Sequence, residues 1–203
     1  MQKESEMGKK YGWLMVLAIL SAAFLSGCGE FGKVDQGRVI AYDEAKGTVT
    51  FIRDLKADVG RPDYTHLPPV TFEVPKDPDE MGPEPKAGLR MKLDPKAREI
   101  VIFDPATQNF KKIPYTLIDQ KEKVGKSDPL VAGKQFPVVD RVKKTITIYS
   151  GRQRLLVTFS LPDEYFTLPD HTWDAGDEVR VYYKVPGKAL RFMNITRTDI
   201  FKK

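Results

Sequence analysis

The residue types that do chemistry are scarce in this chain of 203 residues. It has two histidines, one cysteine and two tryptophans. His66 lies in Tyr64-Thr65-His66-Leu67-Pro68 and His171 in Leu168-Pro169-Asp170-His171-Thr172-Trp173, both rich in turn formers. Hydrolysis by a nucleophile needs a base and an orienting acid beside it. No G-x-S-x-G segment supplies the nucleophile, and no catalytic residue is assigned. Carboxylates with one imidazole suit a divalent ion. Asp170, His171 and Asp174, with Trp173 between them, therefore form the candidate ligand or metal contact. The same residues also make an Asp-capped turn, so no firm metal site follows. Met91 and Met193 fall on expected strands without a Met-x-Met pair, as core methionines would. Asp77, Asp79, Glu80 and Glu84 form an acidic loop that lacks EF-hand spacing.

The one cysteine has the most specific surroundings. Lys3, Lys9 and Lys10 precede an apolar run over residues 13–24, and Leu25-Ser26-Gly27-Cys28 follows. The run is shorter than the ~20 residues of a membrane-spanning helix. A basic start, a short apolar core and small residues make a secretory signal peptide. The segment ending at Cys28 resembles the bacterial lipobox. That resemblance implies cleavage before Cys28, a diacylglycerol on its thiol and acylation of its new amine. Several acyl chains hold a protein on a membrane firmly, whereas one binds marginally. Gly29 after the cysteine favours the outer over the inner membrane by the same resemblance. Gly27 to Gly32 also fits G-x-G-x-x-G, but it straddles the expected cleavage site and follows no strand.

The elements that must carry any site read as strands. Residues 48–52, 70–74, 90–93, 99–103, 145–149, 155–159, 178–183 and 190–195 are short, β-branched or aromatic, and bounded by Gly, Pro and Asp. No window holds a convincing period of 3.6 residues. Their order repeats. Val39-Ile40 leads through Asp43 and Gly47 into strand 48–51, as Val138-Val139 leads through Asp140 and Lys144 into 145–148. Val70 to Pro75 matches Val157 to Pro162, Ala87-Gly88 matches Ala175-Gly176, and 100–104 matches 190–194. These matches favour two tandem small antiparallel barrels or sandwiches over a single sandwich with generic strand-turn spacing, and the pattern resembles small exported β-barrel modules of OB-like type. The organisation expected is a signal peptide at 1–27, a lipid-anchored tether at 28–38, a first β-module at 39–119, a polar linker at 120–135 and a second β-module at 136–203. Tyr182 and Tyr183 are adjacent on a strand, so one should face the core and the other the surface.

Nearly the whole expected mature chain resembles a family of uncharacterised lipoproteins of sulfate-reducing bacteria, a domain of unknown function. The segments that carry the resemblance include Leu67 to Phe72, Ala106 to Phe110, Tyr115 to Gln120, Tyr149 to Gln153, Ser160 to Phe166 and Thr172 to Val179. It implies a lipid-anchored, periplasm-facing protein and brings no activity with it.

Charge and composition narrow the classes. The formal net charge is +5 with 41% hydrophobic residues, as in a folded protein. Removing residues 1–27 takes three lysines and two glutamates, leaving +4 spread along the chain. There is no compact basic stripe, so nucleic acid is not an expected partner. The expectation is a non-enzymatic envelope protein that presents β-modules to a protein partner or an assembly. Its only cofactor would be the lipid on Cys28. The alternative is a small-ligand or metal-binding β-barrel. An envelope enzyme working on glycans with paired carboxylates is the third reading, because the separation that decides such chemistry is invisible in sequence.

Overall fold

The computed structural model describes residues 31–56, 58 and 61–198. The expected signal peptide, residues 1–27, and the expected lipidation site Cys28 lie outside the described residues. Residues from Val34 onward belong to one compact unit.

Twelve strands form three antiparallel sheets, none closed into a barrel. β1 (Lys33–Asp43), β2 (Thr48–Arg53) and β3 (Val70–Glu73) are followed by β4 (Arg90–Asp94), β5 (Glu99–Asp104), β6 (Asn109–Pro114) and β7 (Thr116–Lys121). The C-terminal half supplies β8 (Val138–Asp140), β9 (Thr145–Ser150), β10 (Leu155–Ser160), β11 (Glu178–Tyr183) and β12 (Arg191–Asn194). The sheets run β12-β11-β1-β2-β3, β7-β10-β9-β8 and β4-β5-β6. Two short 3₁₀ turns, Asp163–Thr167 and Asp170–Trp173, interrupt the path from β10 to β11.

Five of the hairpins are closed by one turn design. An Asp or Ser is followed by three residues and then by a residue in the left-handed region. The left-handed positions are Gly47, Arg98, Gln108, Lys144 and Arg154, with φ between 53° and 61°. The first-position oxygen caps the turn from within. Asp94 Oδ1 accepts from the amides of Lys96 and Ala97, and Asp140 Oδ1 from those of Val142 and Lys143. Short polar side chains stabilise turns in this way, so Asp43, Asp94, Asp104, Asp140 and Ser150 mark the hairpins.

Segments matched in the sequence pair alike in the structure. Thr50 and Thr71 face each other across β2 and β3, with hydroxyls 2.9 Å apart. Their repeat equivalents Thr147 and Thr158 do the same across β9 and β10, also at 2.9 Å. Each half is a three-strand meander followed by a hairpin, β1–β2–β3 then β4–β5, and β8–β9–β10 then β11–β12. Both later hairpins pack on segments distant in sequence. β11–β12 joins the sheet of β1–β3 and buries Val179, Val181 and Phe192 against Val39, Phe51 and Phe72. β4–β5 sends Leu93, Ile100 and Ile102 into the core built on Ile146, Ile148, Val157 and Phe159. A third cluster, with Ile40, Ile52, Tyr64, Met91 and Phe103, joins β1–β2 to β4–β5.

Three boundaries read from sequence differ from this arrangement. β1 begins at Lys33, inside the stretch 28–38 read as a tether, because Val34, Gln36 and Arg38 alternate with Asp35, Gly37 and Val39. β7 crosses the boundary at 119 and pairs with β10 of the other half. The stretch 120–135 is anchored to the fold: Val124 and Val131 are buried, and the Val124 amide donates to the Arg154 carbonyl at 2.9 Å.

Candidate functional site: a cleft at the start of β1

The four residues proposed as a ligand or metal contact are spread over different tasks. Trp173 is fully buried in the core with Phe159 and Phe166. Asp170 is exposed and accepts from Arg141 at 2.7 Å, and the same guanidinium donates to the Leu168 carbonyl. Asp174 pairs with Lys86. His171 is exposed, and its carbonyl accepts from the Leu89 amide at 3.1 Å. Among the described residues, no three His, Cys, Asp or Glu side chains converge as a metal site would require. These residues pin the segment before β11 onto the start of β4. Glu80 of the acidic loop likewise pairs with Arg191, and Asp77 caps its own turn at Asp79. Tyr183 is buried and Tyr182 partly exposed, as the alternation requires.

Polar side chains gather instead where β1, β2 and β11 meet. An open cleft of about 470 Å3 is walled by Val34, Asp35 and Gln36 of β1, by Arg53, Asp54 and Leu55 at the end of β2, and by His66 and Arg180. The pairing Gly37↔Arg53 puts the end of β2 beside the start of β1. A Cβ on Gly37 would fall 2.2 Å from the Ile52 carbonyl oxygen, so only glycine allows that approach.

Each carboxylate of the cleft gives one oxygen to the fold, and Asp54 Oδ2 is buried without a partner. Asp35 accepts from the Tyr183 hydroxyl at 3.1 Å. Burial, followed by the charge of Asp35, raises the Tyr183 pKa above the ordinary phenol value. Asp54 Oδ1 accepts from the amides of Lys56 and Asp63, closing the loop after β2. The cations are not neutralised. Arg53 and Arg180 take part in none of the ion pairs among the described residues. Arg53 donates to His66 Nε2, which leaves the imidazole proton on Nδ1. Its own Nε is buried without a partner. Arg180 donates through Nε and a terminal nitrogen to Gln36 Oε1, at 3.1 and 2.8 Å.

Behind the cleft lies a buried polar hub. Gln36 Nε2 donates to Glu178 Oε1 at 2.6 Å, and Arg152 donates to Glu178 Oε2 at 2.9 Å. Arg38 donates to the carbonyls of Arg90 and Met91 and lies 4.3 Å over the Tyr64 ring. Arg90 Nε donates to the Trp173 carbonyl at 2.9 Å. Burial, with a contribution from Arg38, pushes the Arg90 guanidinium down to about 10. Burial lowers Arg38 as well. Two guanidiniums, Arg152 and Arg38, therefore attend the buried carboxylate of Glu178, and Arg90 lies near Arg38. Each of them ties segments distant in sequence.

The molecule is thus an all-β protein of three open antiparallel sheets with a cation-bearing cleft at one strand end. A family model described as "Domain of unknown function (DUF4881)" matches residues 30–203, and the chain belongs to that family. No curated protein and no solved structure matches it.

Proposed function

We propose that this is a lipid-anchored envelope protein whose β-fold presents the cleft at the start of β1 as a non-enzymatic binding surface. The observation that carries the reading is the pair of guanidiniums outside any ion pair among the described residues, Arg53 and Arg180, in a cleft whose carboxylates each give one oxygen to the fold. Its position in the chain supports the same reading. Val34 stands six residues after Cys28, and six residues span at most about 20 Å. A cysteine acylated there would keep the cleft close to a membrane. In the same reading the chain is a duplicated β-module whose halves have exchanged hairpins.

Photo-crosslinking in living cells tests it. A photoreactive residue at Leu55, on the cleft, should give a defined adduct that disappears in Cys28→Ala. The same residue at Val142, 93% exposed on the β8–β9 turn, should give none. Equal labelling from both positions, or an adduct insensitive to Cys28, rejects the reading. The intact mass of the envelope-extracted chain should begin at an acylated Cys28.

A small-ligand function is the second reading, and it uses the same cleft, since the Asp170–Asp174 segment is occupied by structural contacts.

A further inference from the structure

We propose that the cleft binds the phosphodiester of an anionic phospholipid headgroup from the membrane to which the chain is anchored. The proposal rests on the lipid-anchored reading above and names the ligand of that site.

The chemistry of the free groups selects the ligand. Three N–H donors remain for a guest: the unpaired part of the Arg53 guanidinium, the Nδ1–H of His66 and the outer nitrogen of Arg180. Guanidiniums match phosphate oxygens in geometry and charge, and such charge-assisted bonds are roughly twice as strong as neutral ones. Arg53 Nε and Asp54 Oδ2, on the same wall, are both buried without a partner, so the fold leaves a donor and an acceptor unmet there. The carboxylates of Asp35 and Asp54 stand on the same walls, which disfavours a guest with a second negative group. A monoanionic phosphodiester meets that limit, while a phosphomonoester carries about two charges at neutral pH.

The lip of the cleft selects the source. Val34 and Leu55 flank the cations and are 56% and 57% exposed, although both are apolar. An apolar lip around a cationic floor complements a headgroup with its glycerol and first acyl methylenes. A free phosphate ion would use only the floor. Membrane surfaces with anionic lipid attract basic residues. The anchor concentrates the guest further, since a tethered encounter is intramolecular.

The test uses the full mature chain extracted from envelopes in dodecyl maltoside. Intact mass reports acylation of Cys28, and so judges the anchored reading by itself. Calorimetric titration with dihexanoylphosphatidylglycerol, dihexanoylphosphatidylcholine and inorganic phosphate then judges the ligand. The expected result is saturable binding of the glycerol lipid, at least tenfold tighter than either of the others. Arg180→Gln should weaken it about tenfold or more without changing the melting temperature, because Arg180 is exposed. Arg180→Lys should restore part of the affinity. Leu55→Ser should weaken lipid binding and leave phosphate binding unchanged. Equal affinity for inorganic phosphate and the glycerol lipid would make this a free-anion site and overturn the lipid assignment. The proposal is also overturned by no saturable binding, or by an Arg180→Gln variant that binds like the parent. A crosslinked protein at Leu55 in cells, with no lipid bound, would assign the cleft to a protein partner instead.

Discussion

Gly88 and Gly176, equivalent positions of the internal repeat, pack backbone against backbone. A Cβ on Gly88 would lie 2.6 Å from the Gly176 amide nitrogen, and one on Gly176 would lie 3.0 Å from that of Gly88. This is where the two halves cross. The Gly88 amide donates to the Val39 carbonyl at 3.1 Å, and the Val39 amide donates to the Asp177 carbonyl at 2.9 Å. Leu89 and Ala175 form a bridge between the segments leading into β4 and β11. These contacts tie the segments leading into β4 and β11 to each other and to β1.

Gly176→Ala should therefore be severe. Its Cβ would sit 1.8 Å from the Val39 carbonyl oxygen, where backbone must move. Overpacking of a tight core costs roughly 1–3 kcal/mol, and a backbone clash of this kind belongs at or above the upper end. Urea unfolding should show a loss of about 3 kcal/mol or more. Gly151→Ala, with its nearest atom 3.7 Å away, should stay within about 0.5 kcal/mol of the parent.

The left-handed turn positions give a stabilising prediction. Lys144 holds φ 55° where its repeat counterpart Gly47 holds φ 61°. An L-residue in that region costs roughly 1–2 kcal/mol, and glycine avoids the cost while losing some entropy on folding. Lys144→Gly should raise stability by up to about 1 kcal/mol. Gly47→Ala should lower it by about 1 kcal/mol. A melting curve of each variant reads the two opposite shifts.

Much of the fold was legible in the sequence, and the exceptions have physical causes. The eight runs read as strands correspond to β2–β5 and β9–β12, because each alternates an apolar face with a polar one. β6 and β7 escaped the reading. Both are sheet-edge strands, with Lys111, Lys112, Asp119, Gln120 and Lys121 turned toward solvent, and charged edges lack the apolar alternation that marks a strand. The start of β1 escaped for the opposite reason. Its polar residues Asp35, Gln36 and Arg38 serve the cleft and the hub, so the segment resembled a tether. The His171–Trp173 stretch attracted notice because its residue types are rare, yet its backbone carbonyls, not its side chains, meet the start of β4. Arg53, His66 and Arg180 are far apart in sequence, and only the pairing of β1 with β2 and β11 brings them to one cleft. The alternation Val34, Gln36, Arg38 was the one available signal.

Acid should act on the hairpin turns. The Ala97 amide, followed by Lys92, holds the Asp94 carboxyl below its ordinary value. The Ala106 amide, followed by the Thr107 hydroxyl, does so for Asp104, and Lys46 for Asp43. A carboxyl whose folded-state pKa is depressed contributes stability above its unfolded pKa, near about 4, and loses it as pH falls through the folded value. The triple variant Asp43→Asn, Asp94→Asn, Asp104→Asn should be less stable than the parent at about pH 7. The gap should narrow as pH falls below about 4. Urea midpoints measured across that range check it. A gap independent of pH would remove these turns from the acid response.

Glu178 should be the most sensitive charge in the molecule. It is 9% exposed, accepts from Gln36 and Arg152, and stands near Arg38. Removing one partner of a buried pair leaves an uncompensated charge and costs roughly 3–5 kcal/mol. Arg152 retains partial solvent access, which reduces that figure. Glu178→Ala should therefore cost about 2–4 kcal/mol in urea unfolding. Arg152→Ala should cost less, because Glu178 keeps its bond from Gln36 and the field of Arg38. In the double variant Glu178→Leu, Arg152→Met the pair is replaced by apolar groups of similar length. It should recover part of the loss, as isosteric apolar replacements of buried pairs do. Additive single and double effects would show that the two side chains are not coupled. Coupling of about 1 kcal/mol or more is the expected result for a direct charge-assisted contact. The same double variant should leave the exposed Arg180 free to bind an anion in the cleft, since Gln36 still holds it in place from the other side.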